Sequence, residues 1–348
     1  MKRVLVALSG GIDSAATVLI LRRQGLEPEG LYLDITGDEL TRRKAVDAAA
    51  AMDIRLHVEP VGELFRHEIM QYILNEHRAG RTPSPCPVCN PLIKWRVLAE
   101  VADRQGIEKI ATGHYIRIIE KDGCCYVGKG IDPVKDQSYY LWGLDQDILR
   151  RAITPLGEYS KTQVRELLSG FGFNVLATGG ESMGICFLGG RSYDSFLAEN
   201  LAGEIEPGDV VTKSCEKIGT HRGYQLYTIG QKKGFEVASG LPMQVVAVDS
   251  EKNLLVVSDD PDDLFSSILW GRDWRADLRE LAETPGLRVI VRGLGRNPEG
   301  TCSVAPDDQG LLRVALNGGK AWAAAPGQPM VFYDGDRVVG GAYIVKSE

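Results

Sequence analysis

The run MKRVLVALSGGIDSAATVLILRRQ, residues 1–24, decides the fold. Arg3–Leu8 is an almost continuous apolar run, the pattern of a strand covered on both faces. Ala15–Gln24 reads as a helix. Between them stands SGGIDS, Ser9–Ser14. A strand, a tight turn and a helix in that order place backbone N–H groups at a helix N-terminus, a natural cradle for phosphate. Gly10 and Gly11 permit the turn and a close approach of the backbone. The string is neither the nucleoside-triphosphate loop ending in GK[ST] nor the dinucleotide GxGxxG. Two basic residues and an apolar run also open a signal peptide, but the glycines and Asp13 cut this run too early. It reads as the buried first strand of a cytoplasmic protein.

Outward from this run, strand and helix signals alternate. Gly30–Leu33 reads as a short second strand, Leu40–Met52 as an alanine-rich helix and Ile54–Val58 as a third strand. Val61–Ala79 and Leu92–Gln105 carry helical spacing, and Lys109–Thr112 gives another strand. Such alternation predicts a doubly wound parallel sheet, with ligands at the carboxyl ends of its strands. Near Gly203 the texture changes to short runs rich in Val and Gly, especially 240–257 and 311–343. That part reads as one or two small, barrel-like β-rich domains.

The length of 348 residues suits two to three domains, and 44% apolar with 25% charged residues is ordinary for a soluble globular chain. No apolar run reaches the 18 or so residues of a membrane helix. The net charge of −7 hides local bias. From His77 to Ala99 there is no acid, while Arg78, Arg81, Lys94 and Arg96 are present. Val210–Phe235 holds Lys213, Lys217, Arg222, Lys232 and Lys233 against Glu216 alone. Such patches either hold a polyanion or are solvated faces.

Seven cysteines, an odd count in a long chain, argue against a secreted disulfide framework. Cys86 and Cys89 stand in RTPSPCPVCN, residues 81–90, whose prolines and serine predict a loop. The N-terminal end of a helix from Leu92 would lower a nearby thiol pKa. Cys186 stands in ESMGICFLG, residues 181–189, where the glycines suggest a loop. There is no second CxxC and no paired histidine to complete a zinc site. Cys124 and Cys125 follow a hairpin turn at Asp122-Gly123, and Cys215 and Cys302 read as packing in the β-rich part. The five tryptophans read as core or interface aromatics.

SGGIDS resembles the loop of the ATP-pyrophosphatase superfamily, whose members cleave ATP to AMP and pyrophosphate and attach AMP to a substrate oxygen. Some relatives form amides and others deliver sulfur to RNA bases. Sulfur transfer needs a reactive thiolate. Here the resemblance becomes close to the bacterial tRNA-specific 2-thiouridylases. It is carried by SGGIDS (9–14), GRTPSPCPVCN (80–90), ATGHY (111–115), KDQSYYLW (135–142), PLGEYSKTQVRE (155–166), ESMGICFLG (181–189), YTIGQKKG (227–234), DSEKN (249–253) and PGQPMVFYDGD (326–336).

The resemblance implies ATP with Mg2+ on Ala7, Leu8, Ser9, Gly10, Gly11, Ile12, Asp13, Ser14 and Gly113, with Leu33 near the adenine. It implies a persulfide on Cys186, with Cys89 attacking it or resolving it as a disulfide. Ser84, Pro85, Cys86, Lys135, Asp136, Gln137 and Gln328 would contact the tRNA, with Cys86 beside the target base, and His114, after a strand end, is placed to touch the tRNA too. The resemblance also implies a pyrophosphatase domain over 1–202, a small central domain over 203–264 and a C-terminal β-barrel over 265–348. A sulfur-relay protein, a cysteine desulfurase or inorganic sulfide would be the sulfur donor. Lys232 and Lys233 suit the tRNA backbone.

Three positions depart from the family pattern. Cys86 stands where many members have an Asp with an acid–base role. It either replaces that Asp or joins Cys89 and Cys186 as ligand of a 4Fe–4S cluster. The second strand, LYLDITGDEL, runs straight into a helix without the usual insertion. Leu294-Gly295 replaces an Arg-Tyr pair, with Arg292 and Arg296 flanking it. An amide-forming synthetase, a different RNA-base thiolase or an ATP-gated tRNA-binding module without thiolation remain alternative readings.

Overall fold

A computed structural model describes residues 2–173, 186–188, 190–237 and 240–348. It divides into two compact units. One comprises Met1–Ile69, Cys86–Phe187 and Asp336–Val338. The other comprises Met70–Pro85, Leu188–Gly335 and Val339–Glu348.

The first unit is built on a five-stranded parallel sheet. Its strands are β1 (Arg3–Ala7), β2 (Glu27–Asp34), β3 (Leu56–Pro60), β4 (Lys109–Ala111) and a short fifth strand, Ala152–Ile153. The spatial order is β3-β2-β1-β4 and then the fifth strand, the doubly wound arrangement expected from the alternation. Val4, Leu5 and Val6 are fully buried, which explains why β1 is apolar without alternation. Helix α1 (Ile12–Arg23) covers the sheet with Ala15, Ala16, Leu19 and Ile20, and α2 (Glu39–Ala51) adds Ala48 and Ala49. Asp38 caps α2 by accepting from the Leu40 and Thr41 N–H groups.

The chain order reverses between β1 and β4, so the loops after these two strands meet at the place where such sheets bind ligands. Lys161–Gly170, a helix opened by a Ser160–Gln163 capping box, lies on α1 through Val164 and Leu168. Ile116–Lys121 and Cys124–Lys129 form the hairpin over Asp122-Gly123, both in left-handed backbone.

The segment read as a loop around Cys86 is helical. Pro85–Cys89 forms an α-turn, Asn90–Lys94 a wider π-turn, and Trp95–Arg104 continues as an α-helix. Proline in a first helical turn has no N–H to lose, so Pro85 and Pro87 start this helix rather than prevent it. The π-turn accommodates Pro91.

The second unit contains two β systems with separate cores. Gly208–Thr212, Lys217–His221, Glu236–Val237, Gln244–Asp249 and Leu254–Ser258 form one sheet around Val210, Tyr227, Val245 and Leu255. Arg288–Ile290, Pro329–Asp334, Arg337–Ser347, Ile268–Ala276, Leu312–Asn317 and Thr301–Pro306 follow one another in the second. The Cys302 N–H donates to the Leu287 carbonyl at 2.8 Å and joins its two ends. Cys302 is buried there as expected, whereas Cys215 is exposed in a left-handed turn and packs into no core.

Candidate active site

The phosphate loop is shaped by backbone packing. Gly10 has φ +77°, and a Cβ there would lie 2.5 Å from the Lys44 carbonyl carbon of α2. Ser9 and Ser14 tie the loop internally: the Ser14 hydroxyl donates to the Gly11 carbonyl at 2.9 Å, and the Ser9 N–H donates to Ser14 Oγ at 3.3 Å. Gly11 is the N-cap of α1 and no side chain caps it. The first N–H groups of a helix have no partner within the helix, so this end offers donors to an anion. Ala7 and Leu8 lead into the loop, Ile12 is buried beneath it, and Leu33 stands at the carboxyl end of β2 next to β1.

Gly113, after β4, closes the other side. A Cβ on it would come 2.9 Å from the Asp13 carbonyl carbon, so only glycine lets the strands approach this closely. Asp13 Oδ1 accepts hydrogen bonds from Tyr115 Oη at 2.7 Å and from Lys161 Nζ at 2.7 Å. Neither Tyr115 nor Lys161 was singled out in the sequence, although both stand in matching blocks.

The residue after Gly113 belongs to a second cluster. The His114 ring stacks on Trp95 with centroids 5.9 Å apart, and its Nδ1 lies 2.8 Å from Thr112 Oγ1. Burial, helped by the charge on Lys94, pushes its pKa down to about 3. The imidazole is therefore neutral near pH 7.

Lys94 ends the π-turn after Cys89. Burial works to lower its pKa, but coupling to Cys186, Cys89 and Cys86, which favours the ammonium wherever a thiol ionises, outweighs it and raises the pKa. The same burial raises both CxxC thiols, Cys89 to about 12 and Cys86 less far, with Lys94 opposing. This corrects the expectation of thiols made acidic by a helix end. Cys86 and Cys89 lie inside the first helical turns, where burial outweighs any dipole. Cys89 is buried, Cys86 half-buried and Cys186 exposed. Phe187 rests on Phe65, ring centroids 5.2 Å apart. The rest of the predicted loop, 181–185 and Gly189, lies outside the described residues. The Asn90 amide nitrogen donates to the Tyr140 carbonyl at 3.0 Å, and its buried oxygen has no partner. Among the described residues no three His, Cys, Asp or Glu side chains are gathered as a metal cage.

The KDQ block splits by geometry. Asp136 turns inward and accepts from the Gly130 and Ser138 N–H groups and from Ser138 Oγ. Gln137 Oε1 accepts from the Tyr115 N–H at 2.9 Å. Gln137 therefore braces the exit of β4, and Asp136 the turn that follows the hairpin. Within the second unit, Gln328 Nε2 donates to the Thr82 and Pro83 carbonyls at 2.9 and 3.2 Å. Thr82 also bonds Thr228 through their hydroxyls, and the Ser84 N–H reaches Tyr72 Oη at 3.4 Å. Pro85 follows as the first residue of the cysteine helix. Lys232 and Lys233 are exposed. Arg292 stacks on Trp322 and Arg296 on Phe265, 4.7 and 4.8 Å from the ring centroids, flanking exposed Leu294.

A phosphate loop on the β1/β4 switch point, packed against Gly113 next to a histidine that feels the charge of Lys94, defines an ATP-pyrophosphatase-loop enzyme equipped with thiols. Three family models match in order: a tRNA methyl transferase HUP domain over residues 2–190, its PRC-barrel domain over 194–259 and an aminomethyltransferase β-barrel domain over 273–344. The chain is 43% identical to a tRNA-specific 2-thiouridylase of Bacteroides fragilis over 346 residues, covering 99% of this chain and 94% of the relative. It is 36% identical to those of Amoebophilus asiaticus and Carboxydothermus hydrogenoformans, again over 99% of this chain and over 96% and 98% of theirs. The chain belongs to the tRNA-specific 2-thiouridylases. No helix among the described residues is long and apolar enough to cross a membrane.

Proposed function

We propose that this member of an ATP-dependent tRNA-thiolating family replaces the 2-oxygen of the wobble uridine of tRNA with sulfur. The observation that carries the reading is the adjacency of Gly113 and His114. One packs on the phosphate loop and the other lies on Trp95 within reach of Lys94's charge. An adenylated base formed at the loop thus has the thiols close by.

ATP binds the α1 N-terminus and the Ser9–Ser14 loop, with Mg2+ offsetting phosphate charge. The target uridine leaves its stack to reach the site. Its 2-oxygen bonds to the α-phosphorus and pyrophosphate departs with the electron pair, while the N3 proton passes to solvent. The outer sulfur of a Cys186 persulfide then attacks C2, and AMP leaves with the former 2-oxygen. Cys89 thiolate cleaves the remaining S–S bond. This leaves a Cys89–Cys186 disulfide, which a thiol reductant reopens. Exposure suits Cys186 to accept persulfide-level sulfur from a relay protein or a desulfurase; inorganic sulfide reaches the same state only in place of the reductant, by attacking Cys186 of the Cys89–Cys186 disulfide and expelling Cys89 thiolate, and burial suits Cys89 to act only inside the site. Cys86 stands beside the base in place of an acid; its raised pKa makes it a neutral thiol there. Lys135 and the exposed Lys232 and Lys233 supply phosphate contacts.

Three thiols are also the donor set of a 4Fe–4S cluster. The described side chains do not gather into a cage, so no step is routed through one.

The test is nucleoside mass spectrometry after anaerobic incubation with ATP, tRNA and sulfide or a persulfide donor, together with iron and acid-labile sulfide content. 2-Thiouridine from iron-free protein is the expected result. None from wild type under reducing conditions overturns the reading. About four irons per chain, lost in Cys86→Ser, would assign all three cysteines to a cluster instead.

A further inference from the structure

Three thiols share one site, and the sulfur transfer proposed above uses two of them. The third, Cys86, stands where many members of the family have an acid. A half-buried neutral thiol is a poor substitute for a carboxylate base. It is competent, however, for exchange with a neighbouring disulfide once it ionises.

Its placement suits that chemistry. Cys86 and Cys89 lie in the same helical turn, Pro85–Cys89. Residues three apart share one face of a helix. Helical geometry sets their Cα atoms about 5 Å apart, inside the span of about 4.4–6.8 Å that a disulfide bridges. Pro87 between them fixes φ and gives up no hydrogen bond in a first turn. The charge of Lys94 favours the thiolate of both cysteines. Cys186 reaches the same place: its charge is felt at Cys86, Cys89 and Lys94, and Phe187 beside it is seated on Phe65. Among the described residues the thiols form no metal cage. Disulfide exchange needs none, because the attacking, central and leaving sulfurs stand in a row rather than around a centre.

Burial sets the direction of the exchange. Cys186 is exposed, Cys86 half-buried and Cys89 buried. Attack by Cys86 on the Cys89 sulfur of a Cys89–Cys186 disulfide sends the electron pair to exposed Cys186, where water solvates it. Attack on the Cys186 sulfur would leave the charge on buried Cys89. We propose that Cys86 is a second resolving thiol, which takes Cys89 from Cys186 after each sulfur transfer and parks the disulfide within the cysteine helix. This rests on the persulfide reading of Cys186. In the step Cys86 gives its proton to solvent and bonds to the Cys89 sulfur. The Cys89–Cys186 bond breaks, and Cys186 takes up a proton. Cys86 is oxidised, Cys186 is reduced, and one disulfide remains. A dithiol reductant later reopens Cys86–Cys89, while Cys186 is already free to accept the next persulfide.

The position of the disulfide is the test. Full-length, iron-free protein is loaded with persulfide on Cys186 and freed of donor. It then makes one turnover with ATP and tRNA, anaerobically and without reductant or sulfide. Acid quenching and alkylation precede tryptic mapping, and 2-thiouridine is counted in the same sample. Trypsin leaves Cys86 and Cys89 together on Thr82–Lys94 and Cys186 on another peptide. In wild type Thr82–Lys94 should be lighter by the two thiol hydrogens, with Cys186 alkylated. This form should exceed the Cys89–Cys186 link about tenfold. In Cys86→Ser the Cys89–Cys186 link should account for the 2-thiouridine formed. Wild type that accumulates a Cys89–Cys186 or a Cys86–Cys186 link overturns the proposal, and this map decides even if Cys86→Ser fails to melt cooperatively. No 2-thiouridine, or 2-thiouridine with no disulfide of any kind, sinks the persulfide reading instead. Oxidation of the tRNA-free chain with glutathione disulfide then separates the two: a Cys86–Cys89 bond keeps the helical pair as the resting place of the disulfide, and a bond to Cys186 removes it.

Discussion

The phosphate loop and the cysteine helix lie in the same unit and are built on opposite principles. The loop is made of backbone: glycines chosen for close approach, an uncapped helix end and two serines that tie the turn. Its chemistry exists as soon as the strand and helix form. The cysteine helix is made of side chains in a poorly solvated place. Its thiols are held protonated by burial, and one lysine opposes that effect. The first site is rigid and ready, whereas the second is quiet until something changes its charge. The difference suits a two-step reaction in which ATP cleavage precedes exposure of reactive sulfur.

Removing the proposed sulfur carrier should separate the two regions most sharply. In Cys186→Ser, 2-thiouridine formation should fall at least about a thousandfold while tRNA-dependent pyrophosphate release persists. Parallel loss of both would mean that the regions do not act in sequence.

A methyl group placed on the loop tests the backbone half. Gly10→Ala meets the Lys44 backbone and a left-handed φ, so ATP affinity should drop by about tenfold or more, with a lower melting temperature. Gly11→Ala, with φ −88° and the nearest atom Ser9 Oγ at 3.5 Å, should bind ATP within a few-fold of wild type. Equal effects at both positions would contradict a loop shaped by close packing.

The two halves were also unequally legible in the sequence. The parallel sheet and the phosphate loop could be read because apolar strand runs and a glycine turn are local signals. The helical state of Pro85–Cys89 was missed because proline and serine were weighed as loop residues rather than as first-turn residues. Lys94 carried a visible sign, a lysine in an acid-free stretch, but its meaning depends on burial beside Cys186, almost a hundred residues away. Lys161 carried none, since its partner Asp13 meets it only through the packing of its helix on α1. Asp136 and Gln137 matched a tRNA-contact block, yet spend hydrogen bonds on the chain's own turn.

Lys94 can be tested directly. Lys94→Met removes a cation that draws Cys86 and Cys89 toward ionisation. Alkylation of Cys86 at pH 8 should slow by about tenfold, the equivalent of one pK unit. An unchanged rate would show that Lys94 serves packing alone.

The smallest effect reads burial of the thiol as stability. The Cys89 pKa is about 12 in the folded chain, against about 9 for an exposed thiol. Between these values the unfolded state releases the proton and the native state keeps it. The unfolded state then binds fewer protons, so stability falls as pH rises. Below pH 9 both states hold the proton and the contribution is fully present. Above it, wild type should lose about 1 kcal/mol per pH unit more than Cys89→Ala, up to roughly pH 12. Urea midpoints of the two proteins at pH 8, 9.5 and 10.5 measure that difference, and subtraction removes every other alkaline group. In Ser9→Ala, which leaves the buried thiol in place, the alkaline slope should match wild type. A Cys89→Ala slope equal to that of wild type would place the thiol in contact with water, and the contrast between a rigid loop and a quiet sulfur site would fail at its second half.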